Sequence, residues 1–482
     1  MVNRRAIVQD GMRRRTKIYH FQDGHSYHAN RVMKGGRTYM KCHLLFKRRC
    51  NGAGSLGVDG DFHQTIRHNH PQTRLLIHER RLRHAVLNRC RAGDLSDFFN
   101  IYHEERRKLK TPKDAAVNLP LIKLRPCMQR AREDRLPHIP HTLSQLSDAL
   151  MRGENAHITQ TLDGEDNLFA GVVGRSDNRT RCVLLFSKRK LKYMSSRRRV
   201  QKVFCDGTFV VPSHMECSQI WTLITLRRNH IIVLGWVLMQ SWLKIAYQAA
   251  LEGLRRLAPG FQPTQVICDF ERAEKAAWKL VYPNAHVQGC HFHFSKAVCE
   301  YAKYLGLRRL LRENNEADSI VRSLCAIPFL PREWIVQGYN AVVRRLLRRR
   351  LYALEPLFTY FANQWLCNPE MISNICVFQC DDRTNNACES SNRTLRGEVR
   401  HAHPNVWHLI GGFVRLEDIA ELDIAILSDG GNPTRRRRAS AVTNDLRIEG
   451  LYTDLLNRTI TISEFLRRAS RRVQGIYDEI LH

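Results

Sequence analysis

Between residues 199 and 307 the chain changes character in an order that few folds can accommodate. RVQKVFCDGTFVV (199–211), CSQIWTLITLRR (217–228) and HIIVLGWVLMQ (230–240) are apolar, β-branched runs of strand length, with Arg228-Asn229 as the turn between the last two. KIAYQAALEGLRRLAP (244–259) then carries apolar residues at helical spacing and stops at Pro259 and Gly260. PTQVICDFERAEKAAWKLVYP (263–283) reads strand, Asp269, helix. AHVQGCHFHFSKAVCEYAKYLGL (285–307) reads strand, a Cys-His-Phe-His tetrad, helix. Three adjoining strands, a helix, a strand, a helix and a further strand predict one layered α/β core.

Two aspartates stand where strands of this core emerge, Asp206 near the end of the first and Asp269 after the fourth. The element order is that of the RNase H-like fold, in which the first and fourth strands lie side by side, and the two carboxylates would then meet. Like charges brought together repel unless they share a cation, and a hard divalent ion with oxygen ligands, Mg²⁺ above all, is the natural one. The candidate third acid is Glu389, in RTNNACESSNRTLRGEVRHAHPNVWHLIGGF (383–413), with Asn385 or Asn386 able to cap its helix and Glu389 about one turn along. Glu398 is the runner-up, and Glu271 and Glu274 read as exposed helix positions.

DGTF (206–209), DFERA (269–273), GCHFHF (289–294) and RTNNACE (383–389) occur in that order, followed by HPNVWHLI. As an ordered set over roughly residues 200–415 they resemble the transposase core of Mutator-like elements (MULE). The resemblance implies that Asp206, Asp269 and Glu389 are a DDE triad and that Cys290 and His293 are the family's Cys-x-x-His signature, able to bind a metal or to serve the structure beside the catalytic face. It also implies an all-α insertion before the acidic helix, which residues 305–383 match with LRRLLREN, ADSIVRSLCAI, WIVQGYNAVVRRLLRRRL and LEPLFTYFANQWL. The arginine faces of these helices either line DNA or belong to ordinary amphipathic packing. His291 is expected to point away, and Cys205 and Cys268 to be buried strand cysteines.

A second constellation lies near the N-terminus. Cys42, Cys50, His68 and His70 are spaced C-x7-C-x17-H-x-H, around strand-like segments at 36–42 and 62–67 and a Gly-rich stretch from Gly52 to Gly60 read as turns. Two thiolates and two imidazoles suit a closed tetrahedral zinc site, which supplies folding energy to a domain too small for a large core. Histidines one residue apart can both serve only if a kink turns both rings to one side. With Phe21, Tyr27 and Tyr39, the set resembles a FLYWCH-type zinc finger, with Met40 where that family usually carries Trp. His20, His25, His28, His43 and His63 are not at matching positions. Arg37, Lys41, Lys47, Arg48 and Arg49 lie close to the site and could reach phosphates; fingers of this kind also bind proteins.

Charge supports a polyanion partner: 77 Lys plus Arg against 46 Asp plus Glu give +31, and 23 of those excess charges fall in residues 1–200. The longest apolar run, Ile231 to Met239, is too short to span a bilayer, and the N-terminus has no apolar signal region. Fifteen scattered cysteines in a long chain point to a reducing compartment. ERRLRHAVLNRC and DLSDFFNIYHEERRKL look helical, with Pro112, Pro120, Pro126, Pro137 and Pro140 breaking the stretch between them and a helix capped at Thr142 or Ser144 following. This middle region is either a solvated helical linker or a second DNA-binding domain. Arg435–Arg438 form a basic run, a nuclear import signal or a phosphate clamp, and 440–482 reads as short helices.

The expected α/β chain is therefore a small β-rich zinc-binding domain (1–75), a basic, mostly helical region (76–198), an RNase H-like catalytic core (199–304 and 384–425) interrupted by an all-α insertion (305–383), and a basic linker with C-terminal helices (426–482). The expected function is a nuclear DNA transposase with structural Zn²⁺ and catalytic Mg²⁺ or Mn²⁺, acting on DNA as a homo-oligomer in a DNA-end complex and without a membrane. The alternative is an element-derived, catalytically silent DNA-binding or regulatory protein.

Overall fold

The computed structural model describes residues 6–10, 16–134, 136–195, 202–212, 215–228, 230–400, 403–433, 439–473, 477 and 480–481. Asn229 and the Arg435–Arg438 run lie outside the described residues. The chain forms two compact units, 1–137 and 138–482.

The first unit opens with an antiparallel sheet of six strands in chain order: β1 (Ile7–Asp10), β2 (Lys17–His20), β3 (Ser26–Val32), β4 (Thr38–Cys42), β5 (Ala53–Leu56) and β6 (Phe62–Ile66). β5 occupies the first part of the glycine-rich stretch, and the expected turn follows it at residues 58–59. One four-residue helix, α1 (Leu45–Arg48), lies between β4 and β5. The apolar centre of this sheet is small: Phe21, Tyr27, Met40 and Phe62, with Phe21 stacked on Phe62 at 3.8 Å. Met40 is fully buried in it.

Four helices complete the unit: α2 (Leu76–Arg91), α3 (Phe98–Lys108), α4 (Lys113–Asn118) and α5 (Leu121–Glu133). Leu82, Val86, Ile101, Leu124 and Met128 form their core. Arg89 ties α2 to its neighbours through Asp94, Glu104 and Glu105. Of the prolines read as breaks, only Pro126 departs from the expectation. Pro112 and Pro120 stand at the N-caps of α4 and α5, where a missing N–H costs nothing, and Pro126 lies inside α5 without ending it.

The second unit begins with α6 (Leu143–Met151), capped by Thr142, whose side chain accepts the Gln145 N–H at 3.1 Å. Then come β7 (Phe169–Val173), β8 (Cys182–Leu185), α7 (Lys188–Ser195), β9 (Lys202–Thr208), β10 (Gln219–Arg227), β11 (His230–Met239), α8 (Lys244–Leu257), β12 (Gln265–Cys268), α9 (Arg272–Val281), β13 (His286–Gly289) and α10 (His291–Tyr304). The sheet runs β13-β12-β9-β10-β11-β8-β7. β12 pairs parallel with both β9 and β13, and the remaining neighbours are antiparallel. β7 and β8, placed by the sequence in the basic region before residue 199, extend this sheet: β8 is wholly buried and pairs with β11.

Helices α11 (Arg308–Glu313), α12 (Asn315–Ala326), α13 (Ile335–Arg348), α14 (Glu355–Trp365) and α15 (Pro369–Ile375) follow, then α16 (Asn386–Val399), α17 (Val406–Ser428), α18 (Ala439–Leu456) and α19 (Ile462–Ala469). α12 to α14 share one apolar core with α18 and α19, so the C-terminal segment packs onto the helical insertion. Among the described residues no helix is long and apolar enough to cross a membrane.

A buried ion pair fastens α17 to the sheet side of the unit. The Lys190 ammonium on α7 meets the Glu417 carboxylate, and both side chains are shielded from water. Beside them Arg189 reaches Asp163 at 2.6 Å and Glu421 at 2.6 Å. Removing one partner strands a buried charge, so Glu417→Ala should cost about 3–5 kcal/mol. Lys190→Met combined with Glu417→Leu should recover most of that loss, both read by denaturant unfolding.

Candidate active site and metal centre

The first site grows from the small sheet. Cys42 ends β4, and its N–H bonds the Gly52 carbonyl at 2.8 Å, folding the 43–52 loop back so that Cys50 returns to it. β6 ends at Ile66, and the chain bends at Asn69 and His70, the kink that a one-residue histidine spacing requires. Donor atoms of Cys42, Cys50, His68 and His70 all lie within 4.8 Å of one another. Cys42 Sγ is 3.2 Å from His70 Nε2, Cys50 Sγ 3.4 Å from His68 Nδ1, and the two imidazole nitrogens are 3.3 Å apart. These are the ligand-to-ligand spacings of a small tetrahedral metal site.

The surroundings fix which nitrogen of each ring faces inward. Tyr27 donates its hydroxyl proton to Asp23 Oδ2 at 2.7 Å, so its oxygen accepts from His68 Nε2 at 2.8 Å. The Pro71 carbonyl can only accept, so His70 Nδ1 donates to it at 2.7 Å. His68 Nδ1 and His70 Nε2 are thereby left as lone pairs facing the sulfurs, the arrangement a metal ion needs. Burial first, then the neighbouring His25 and His70, hold His68 down to about 4, which keeps the ring neutral. Burial pushes the Cys42 thiol up to about 11, an unfavourable setting for a thiolate that a bound cation would reverse. A Cβ on Gly52 would stand 2.4 Å from His68 Nδ1, so glycine is the residue that lets the ring approach. His25, outside the ligand set, stacks flat on His68 at 3.8 Å.

The second site grows from the large sheet. β12 lies parallel beside β9 with Gln265 opposite Lys202 and Ile267 opposite Phe204. Carried on by two residues, that register sets Asp269 level with Asp206. Glu389 comes from the first turn of α16, which lies on this sheet through Ala387 and Cys388 against Phe204, Ile224 and Ile267. The Asp206 carboxyl is pushed up to about 6, first by burial and further by the charges of Asp269 and Glu389, while His293 and an Asn392 hydrogen bond pull the other way. Three carboxylates that feel one another in a half-buried place repel, and a shared hard cation would relieve that repulsion. Among the described residues, only the Cys/His group has its donors within 4.8 Å of one another.

Asn392 is a site residue that the sequence did not single out. Its Nδ2 donates to Asp206 Oδ2 at 2.9 Å and its Oδ1 accepts from Thr222 Oγ1 at 3.2 Å, with Thr222 directly opposite Asp206 on β10. Its signal was available: it sits one helical turn after Glu389, on the same face. Asn385 holds the N-cap position of α16 but makes no capping bond. Its side-chain amide donates instead to the Cys205 carbonyl at 2.7 Å, and its N–H to Cys290 Sγ at 3.1 Å.

Cys290 and His293 part company. Cys290 is buried at the N-cap of α10, where its sulfur also receives the N–H groups of Phe292 and His293, and burial pushes the thiol up to about 12. It pins the Asn385 turn to the sheet. His293 Nδ1 instead faces Asp269 Oδ1 at 3.6 Å. His291 does point away: it is buried, and its Nε2 donates to the Cys325 carbonyl at 2.9 Å. Cys205 and Cys268 are buried strand residues, as expected.

Two acids depart from the expectation. Glu274, read as exposed, is buried, and its Oε1 accepts the Trp221 Nε1 proton at 2.9 Å. Glu271 is half-buried and accepts the Tyr247 hydroxyl at 2.8 Å. Helical periodicity marks an apolar face but does not show that a Trp indole on that face can receive a carboxyl. Glu398 is paired with Arg415 at 2.9 Å. Of the cations named near the first site, Arg37, Lys47, Arg48 and Arg49 are exposed and Lys41 is half-buried.

A family model of the MULE transposase domain matches residues 203–297, the segment that carries Asp206, Asp269, Cys290 and His293. No curated protein matches the chain. The match supports a MULE-type, transposase-related protein and implies a DNA partner and a divalent metal.

Two variants test this geometry. Tyr27→Phe removes the acceptor that orients His68, so metal affinity in chelator competition should fall about 10- to 100-fold. Burial raises the Glu274 carboxyl from its ordinary 4.5 to about 8. The folded chain therefore keeps a proton that the unfolded chain has released, and stability declines as pH rises across that window. Glu274→Gln keeps the Trp221 hydrogen bond and removes the titration. Its melting temperature relative to wild type should rise from pH 5 to pH 8.5.

Proposed function

We propose that the protein is a Mutator-like DNA transposase that cuts and joins DNA at Asp206, Asp269 and Glu389, on an RNase H-like core interrupted by a helical insertion. The observation that supports this reading most is the parallel pairing of β9 with β12, which sets Asp269 level with Asp206 beneath the helix bearing Glu389. The family match over 203–297 supports it independently.

In this reading Mg²⁺ or Mn²⁺, when bound, activates the attacking oxygen and stabilises the leaving one. The chain's residues do the placing. Asn392 holds one Asp206 oxygen, leaving the other for the ligand side. The Phe270 N–H fixes Asp269 Oδ1 at 2.6 Å, and Glu389 is fixed in the first turn of a packed helix. Water is the nucleophile for strand cleavage and the freed 3′-hydroxyl for strand transfer, so no covalent protein–DNA bond forms. The Cys42, Cys50, His68, His70 group is a FLYWCH-type site for structural Zn²⁺, presenting Arg37, Lys41, Lys47, Arg48 and Arg49 to phosphates. The protein would act in the nucleus, with more than one copy at a DNA end.

Asp206→Asn should lower Mg²⁺-dependent cleavage by about a thousandfold or more, the several kcal/mol a metal centre contributes, while DNA binding stays intact. Cleavage is compared in Mg²⁺ and in EDTA. Wild-type protein that binds DNA but never cuts it would favour the catalytically silent, DNA-binding alternative.

A further inference from the structure

The pairing pattern brings more than the acids to one end of the large sheet. β9, β12 and β13 are parallel, so Asp206, Asp269 and His293 all stand at or beyond their C-terminal ends. The antiparallel pairings of β10, β11 and β8 bring the end of β11 and the start of β8 to the same edge. Phe209 lies just past β9, Trp242 just past β11, and Arg179 and Arg181 just before β8.

Phe209 and Trp242 are 62% and 49% exposed, with ring centroids 6.3 Å apart and planes at 81°. Trp221, Trp236 and Trp278 of the same unit are fully buried, so this exposed pair is not surplus core. Cations stand in the adjoining segments: Arg179 and Lys244 are exposed and Arg181 half-buried. The arginine loop is held to the Trp242 segment, with Ser241 Oγ donating to the Arg179 carbonyl at 2.6 Å and the Gln240 N–H to the Arg181 carbonyl at 3.0 Å. From β9 to β8 is three strand spacings, ~14 Å. That covers about four nucleotides at the ~3.4 Å rise of one strand.

Exposed aromatic faces flanked by cations are the chemistry that takes nucleobases and phosphates together, and base stacking on such faces is sequence-tolerant. Bases in a duplex already stack on one another, so the matching ligand has unpaired bases. We propose that Phe209 and Trp242 are a stacking platform for unpaired bases next to the phosphate that is cut, with Arg179, Arg181 and Lys244 on adjacent phosphates. This rests on the DNA-cleaving reading of the carboxylate site and adds to it a single-stranded substrate segment on a defined side.

The test uses the full chain in EDTA, so that binding is read without cleavage. Fluorescence anisotropy compares labelled oligo(dT), an abasic strand of equal length and a blunt duplex. All three carry phosphates for the cations of the chain, so the difference between oligo(dT) and the abasic strand isolates base stacking. Wild type should prefer oligo(dT). Trp242→Ala should weaken oligo(dT) binding about tenfold, the effect of one lost base stack, and leave the abasic strand and the duplex unchanged. Phe209→Ala should act in the same direction, and Trp242→Phe should retain most of the preference. Equal wild-type binding of oligo(dT) and the abasic strand overturns the proposal. So does an equal loss on all three ligands, or a change in oligomeric state on sedimentation, which would assign the patch to a second copy of the chain. Asp206→Asn should keep the base preference. A wild type that prefers oligo(dT) but cuts nothing in Mg²⁺ removes the catalytic reading and supports the platform as a binding site.

Discussion

The pairing of β9 with β12 is the contact on which the rest of the second unit depends. It is parallel, so a helical crossover has to separate the two strands, and α8 lies within that connection. Its register determines that two carboxylates, distant in the chain, emerge side by side. Burial and neighbouring charge then keep the Asp206 carboxyl above its ordinary range. A site with that much like charge is poised for a cation. Fixing it takes the buried support seen here: Asn392 against Asp206, Asn385 against the Cys205 carbonyl, and the Cys290 sulfur against the Asn385 N–H.

The first unit meets a different constraint. Its six-stranded sheet centres on four buried side chains, too few to order a sheet and its long loops through apolar burial alone. Four donors converge there from a strand end, a returning loop and a kinked segment, and a metal ion held by them would supply the missing cross-link. The Asp23–Tyr27–His68 chain shows that the ligand geometry is set from outside the ligands. Tyr27 is buried against the stacked pair Phe21 and Phe62 and also touches His68, so the apolar centre and the donor cluster are one piece of packing.

Much of this was legible in one dimension because it is local. The strand runs carrying Asp206 and preceding Asp269 and the capped helix at Thr142 are each written within a few residues, and the two Cys and two His within one short stretch of chain. What failed was non-local. Glu274, on helix α9, was misread because its partner, Trp221, comes from strand β10, far earlier in the chain. β7 and β8 were set apart from the core because β8, which carries β7, pairs with β11, a strand some fifty residues further on. Asn385 looked like a cap because Asn caps helices, yet buried polar atoms across the turn claimed its amide. Pro112 and Pro120 do separate helices as read, but Pro126 sits inside α5 without ending it.

By itself the sequence determined the kinds of element and their order, because hydrophobic periodicity and capping act over a single turn or strand. It also determined the chemistry on offer: acids at strand ends, two thiols with two imidazoles, and an excess of cations in the first 200 residues. Only the tertiary structure decided which groups meet. Strand register made Asp206 and Asp269 neighbours, and hydrogen bonds chose the inward nitrogens of His68 and His70. Alternating strand direction brought Phe209, Trp242 and the arginines to the edge that carries the acids. The reason is physical: charge repulsion, desolvation and stacking act across a few ångströms of space, and separation along the chain says nothing about those distances until the sheet is paired.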